Sequence, residues 1–128
     1  MKNIITILIL LVAVGCLTPE QKALRDCVVG RYERQEGEDT YMLHFLRNGT
    51  VRELSYEKGE LKWERDHKWE IYSGDVHIMT DGSGFLKITD AFFTRNPDGS
   101  LTWIAAKVDG GEQKDLSTED QHTYKKLK

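Results

Sequence analysis

The sequence predicts an all-β domain, an antiparallel meander of eight or nine strands forming a barrel or strongly curled sheet, with one short N-terminal helix. Three observations carry that prediction. Turn signals recur at "RNGT" (47–50), "EKGE" (57–60), "YSGD" (72–75), "TDGSG" (80–84), "NPDGS" (96–100) and "VDGG" (108–111). Between them lie short runs rich in aromatic and β-branched residues: "TYMLHFL", "TVRELSY", "WEIY", "VHIM", "FLKIT", "AFFTR" and "LTWIAAKV". Only one segment beyond the N-terminal apolar run, "TPEQKALRDCVVG", carries helical spacing.

The helix is expected over residues 18–29. Thr18 can cap it, Pro19 suits its first turn, Gln21 completes a capping box and Gly30 ends it. Ala23, Leu24, Cys27 and Val28 would share its apolar face. Residues 30–128 then form the β-domain, opened by "GRYER" and closed by "HTYKKL". Asn-Gly and Asp-Gly supply the positive φ that tight hairpins need. "LSTEDQ" (116–121) reads as one helical turn, capped by Ser117 or Thr118, before the last strand. Such a sheet must bury one face and manage its edges. Curling into a barrel does both, with the helix available to plug one end, and a two-sheet sandwich is the alternative. No internal repeat or low-complexity segment divides the chain.

The opening "MKNIITILILLVAVGCLTPEQ" gives an address. One charge, Lys2, precedes an apolar run from Ile4 to Val14. Eleven helical residues span roughly 17 Å, short of the roughly 30 Å hydrocarbon core, so the run has the parts expected of a secretory signal. "AVGC", Ala13-Val14-Gly15-Cys16, resembles the lipobox of bacterial lipoproteins, although Ala13 stands where leucine is usual. That resemblance implies a signal peptide over 1–15, cleavage after Gly15, diacylglycerol on the Cys16 thiol and an acyl chain (palmitate or similar) on the new amino terminus. A plain secreted protein and an uncleaved anchor are the alternatives. Residues 16–17 would form the lipid anchor, and Leu17 is not the aspartate that retains such proteins in an inner membrane. The expected location is the cell envelope, at the periplasmic face of the outer membrane if the cell has two membranes.

Residues 1–15 taken from 128 leave 113, one domain's worth, and losing Lys2 moves the formal net charge from −3 to −4. A mildly acidic, evenly mixed surface argues against nucleic acid, which needs a basic face. Cys27 is the one thiol left once Cys16 is acylated, so a disulfide framework and a thiolate zinc site are both out of reach. Cys27 is expected to be a small buried hydrophobe.

"VVGRYER" after a helix is similar to the start of lipocalin-like domains, where Gly-x-Trp opens the first strand. Gly30 matches, Arg31 fills the middle position and Tyr32 replaces the tryptophan. The arginine that lipocalins lay over that ring is absent, and Lys125 or Lys126 stands near its place. "GRYE", "FLRNGTV", "KWEIYSGDVHI", "WIAAKVDGG" and "TYKKLK" also resemble small uncharacterised bacterial lipoproteins, a likeness that implies a fold and no activity.

No catalytic arrangement stands out. Serines sit mostly in turns, "DGSGF" precedes a strand and so is no nucleophile elbow, and carboxylates are interleaved with lysines. No histidine pair has the spacing of metal ligands on one strand or helix face, so neither a metal nor another cofactor is expected. One segment offers a candidate site. In "LKWERDHKWEIY", alternation places Arg65 and His67 between Trp63 and Trp69 on the apolar face. A buried arginine there would need a partner, and an anionic ligand could be one. Twelve residues exceed the usual strand of roughly 5–6. A bulge or bend at "ERDH" is therefore expected, returning both side chains to water. Trp63, Trp69, Trp103 and Phe45 point to an interior filled solid.

The function expected from these features is non-catalytic: a lipid-anchored envelope protein whose β-domain binds a partner or plays a structural role. Its contacts would be the membrane through Cys16 and an envelope protein or the cell wall. A lipocalin-like carrier of a small amphipathic or anionic ligand, using Arg65 and His67, is the alternative.

Overall fold

The computed structural model describes residues 19–82 and 87–128. Ala13 to Cys16, Leu17 and the capping Thr18 lie outside the described residues. After helix α1 (Pro19–Val28) come β1 (Gly30–Glu36), β2 (Asp39–Phe45), β3 (Thr50–Glu57), β4 (Glu60–Tyr72), β5 (Asp75–Met79), β6 (Ile88–Arg95), β7 (Leu101–Val108), β8 (Lys114–Asp115) and β9 (Thr123–Lys126). Each strand from β1 to β7 pairs antiparallel with the next, and β9 joins β7 to β1. Eight strands thus close into a barrel, which excludes the sandwich. The ninth, β8, pairs with Ala105 and Ala106 of β7. A single 3-10 turn, Thr118–Asp120, separates it from β9.

The turn signals fall between strands, with Gly49, Gly59, Gly74, Gly82, Gly99 and Gly110 all at positive φ. A further two-residue turn at Gly37 and Glu38 joins β1 to β2. The "IT" of "FLKIT" and the run "AFFTR" are not separate strands, because Ile88–Arg95 runs unbroken. The expected cap at Ser117 takes another form, its hydroxyl donating to the Asp120 carboxylate at 2.9 Å and not to the backbone.

Strand alternation sends one set of side chains inward, and α1 closes one end of the barrel over them. Val28, Tyr32, Phe45, Val51 and Leu101 are fully buried there. Phe45 stands edge-on to Tyr32 and Trp69, at centroid distances of 5.4 and 5.2 Å. Two polar tips are satisfied by backbone: the Tyr32 hydroxyl donates to the Val28 carbonyl at 2.7 Å and Trp69 Nε1 to the Leu46 carbonyl at 3.0 Å. Lys126 Nζ donates to the Cys27 carbonyl at 2.7 Å and lies 5.7 Å from the Tyr32 ring centre. Glycine is required at Gly30, where φ is 142° and a Cβ would sit 3.1 Å from Lys126 Cε. Each large side chain buried in this floor contributes roughly 1.5–3 kcal/mol.

The helix presents a different face from the expected one. Leu24 and Val28 pack on the barrel with Arg25 half-buried beside them, while Ala23 and Cys27 are exposed. The Arg25 guanidinium lies 5.1 Å from the Trp69 ring centre, a cation–π contact that an apolar-face count assigns to solvent. Cys27 is therefore a free, exposed thiol and not a buried hydrophobe.

Candidate functional site

The interior is not filled solid. Phe45 and Trp69 complete the floor beneath α1, but Trp63 and Trp103 line a cavity of about 550 Å3. Leu43, Ile78, Ala91, Phe93 and Tyr124 belong to both the core and the cavity wall, so the packed floor is also the cavity's base. Above it stand Tyr41 near the start of β2, Trp63 and Arg65 near the start of β4 and Ile88 at the start of β6. These positions place the cavity in the half of the barrel away from α1.

β4 accounts for much of this. No bend at "ERDH" occurs: the strand runs 13 residues, and its exposure alternates from Trp63 to Ile71. The register shift lies earlier, between Ser55 and Tyr56 of β3, where Lys62 is the extra residue opposite. A bulge there takes up the twist of a long strand and leaves the alternation beyond it intact. Trp69 and Ile71 enter the floor, while Trp63, Arg65 and His67 enter the cavity wall.

Both candidate residues therefore line the cavity, in different surroundings. The His67 side chain is 8% exposed, and its Nε2 lies 2.8 Å from Glu53 Oε1. Arg65 is more open, its guanidinium 5.5 Å from the Trp63 ring centre and 3.9 Å from the Asp81 carboxylate. Glu53 faces Arg65 across the β3–β4 pair. Thr80 donates its hydroxyl to the Ile88 carbonyl at the same rim. The polar groups thus cluster on β3, β4 and the loop after β5. Opposite them, Ile78, Ile88, Ala91, Phe93 and Trp103 form an apolar wall.

Arg34 escaped the sequence reading. Its guanidinium stacks 4.3 Å from the Tyr41 ring centre and 5.5 Å from that of Tyr124, both cavity residues. Nη1 donates to Glu36 at 2.7 Å. Burial alone would lower the Arg34 pKa, but hydrogen bonds to Glu36 and Tyr124 outweigh it and the net shift is upward. Burial raises the Tyr124 pKa against the opposing pull of Arg34. The signal was available in "GRYERQE", where Arg34 shares strand parity with the inward Tyr32.

The other histidines lie elsewhere. His77 is largely buried away from the cavity, between Glu70 at 3.0 Å and Asp90 at 2.6 Å and stacked on Phe92 at 4.6 Å. The His44 pKa is lowered by burial and by its neighbours Arg31 and Arg52. Among the described residues, no group of three His, Cys, Asp or Glu side chains is placed to hold a metal ion.

Comparisons with protein-family models, with curated proteins and with solved structures each returned no match. The cavity itself is what bears on function. Its size lies within the roughly 300–1,000 Å3 range of small-molecule pockets. One wall offers apolar and aromatic surface and the other offers charged hydrogen-bonding groups, an arrangement that can orient an amphipathic molecule.

Proposed function

We propose that this chain is an envelope lipoprotein, anchored through Cys16, whose barrel binds a small amphipathic ligand without catalysis. The cavity of about 550 Å3 at the end away from α1 carries the binding part of this reading. The apolar wall takes the ligand's carbon skeleton, and Arg65, His67 and Glu53 meet its polar end. Arg65 is the group best placed to receive an anionic head, being the more open of the two candidates. The lipocalin-like resemblance gains support from Lys126, whose ammonium rests on the Tyr32 ring where that resemblance puts an arginine. The anchoring part rests on "AVGC".

Two experiments test the two parts separately. Native mass spectrometry of the protein extracted from its own host should find a small-molecule adduct, and an Ala91→Leu chain, with the cavity narrowed, should lack it. Recovery of the native chain always without adduct, together with unchanged Trp63 and Trp103 fluorescence across neutral, anionic and cationic amphiphiles, overturns the binding reading. Labelled palmitate should enter the native chain and not Cys16→Ser. Equal labelling of the two, or none in either, overturns the anchor.

A further inference from the structure

The barrel is electrostatically polarised along its axis. At the end closed by α1, Lys22, Arg31, Arg47, Lys125 and Lys128 are exposed, and Arg25 and Lys126 lie beside them. Basic groups there outnumber the carboxylates Glu20, Asp26, Glu70, Asp75 and Asp98. At the other end the turns and strand ends expose Glu36, Glu38, Glu57, Glu60, Asp109 and Glu112. Lys58, Lys62, Lys87 and Lys114 only partly offset them. The chain's modest net charge of −3 conceals this separation.

The basic end is also the end nearest the proposed anchor, because Cys16 precedes Pro19 by only two intervening residues. An acylated Cys16 holds α1 within a few residues' reach of the bilayer, roughly 10 Å at full extension. Charges within about one Debye length of an anionic surface feel it strongly, and each Lys or Arg there strengthens association by about five-fold. The acidic end is repelled by the same surface.

We infer that the α1 end of the barrel docks on anionic phospholipid headgroups, turning the cavity mouth away from the membrane. This rests on the lipid-anchor reading, since an untethered barrel would gain little from so mixed a patch. The occupant is an anionic lipid surface, identified by charge complementarity and by the side from which the chain arrives.

Cys27 supplies the probe, being exposed on α1 and the remaining thiol once Cys16 is acylated. The full acylated chain, labelled at Cys27, is placed in vesicles of phosphatidylcholine alone or with about one third phosphatidylglycerol, each carrying headgroup quenchers. Quenching should be at least about three-fold stronger with phosphatidylglycerol and should fall back to the phosphatidylcholine level at about 0.5 M salt. The Lys22→Glu/Arg31→Glu/Arg47→Glu chain, its barrel confirmed by circular dichroism, should lose the lipid dependence. A label at Glu38→Cys in a Cys27→Ser background should stay unquenched in both vesicles. Equal Cys27 quenching with and without phosphatidylglycerol, or a quenched label at position 38, refutes the docking. Intact mass of the same sample reports the anchor independently. A chain without acyl mass refutes the lipid-anchor reading and this inference with it, whereas an acylated chain indifferent to lipid charge refutes the docking alone.

Discussion

The two ends of this barrel are built from the same strands and solve opposite problems. Under α1, Tyr32, Phe45, Val51, Trp69 and Leu101 interlock with almost no exposure. Toward the other end the same inward alternation continues through Arg34, Glu53, Arg65 and His67, and a cavity opens. Strand β4 shows the change within one element: Trp69 and Ile71 are buried in the floor, while Trp63 and Arg65 stand half-exposed in the wall. Periodicity alone therefore decides which way a side chain points. The residue types and the cap decide whether the space becomes core or cavity.

The largest test of that difference is truncation. Phe45→Ala removes a fully buried ring held between Tyr32 and Trp69 and should cost about 3–5 kcal/mol in urea unfolding. Trp63→Ala takes away a ring that already faces open space, so its cost should be about 1 kcal/mol or less. Similar costs at the two positions would mean that the upper half is as tightly packed as the floor.

Enlargement probes the comparison from the other side. Val51→Phe forces extra volume into the floor and should destabilise by about 1–3 kcal/mol. Ala91→Leu points added methyl groups into the cavity, so the chain should lose less than about 1 kcal/mol while losing its ligand. Thermal melts and native mass spectra of the two variants read these effects independently.

The same contrast explains what was legible in the sequence. The strands and turns were readable because glycine-centred turns and period-2 alternation are local signals, and the barrel follows from eight such strands needing closure. Arg65 and His67 were readable as neighbours on one face, yet strand length argued them back into water. What overrode length was the shift opposite Lys62, a property of the β3–β4 pairing that β4 alone does not display. The face of α1 was misread because Arg25 on Trp69 is a contact between residues far apart in sequence. Arg34 was missed for a related reason, since its partners Tyr41 and Tyr124 come from two other strands.

Alkaline pH should loosen the packed floor before neutral conditions do. Burial pushes the Tyr32 pKa up to about 12 from its ordinary 10.0. The folded chain then holds a proton that the unfolded chain releases, so this contribution is complete below pH 10 and is lost as pH rises through about 12. Tyr124 is shifted in the same direction and adds to the slope. Tyr32→Phe should cost about 1 kcal/mol at neutral pH by leaving the Val28 carbonyl without its donor. It should also flatten the alkaline loss, which denaturation at a series of pH values would record.

The smallest effect belongs to the rim. Lys58 holds φ at 52° in the two-residue turn between β3 and β4, with Gly59 beside it at 79°. Such a turn needs positive φ at both central positions, and lysine adopts it less readily than asparagine does. The Lys58 ammonium reaches only the exposed Glu38, at 3.7 Å, an ion pair of little consequence in water. Lys58→Asn should therefore stabilise the chain by a few tenths of a kcal/mol through the backbone alone. Because the turn lies at the open end, a gain in melting temperature without any change in ligand affinity would separate the rim's scaffolding from the cavity it frames. A change in affinity would instead make this turn part of the site.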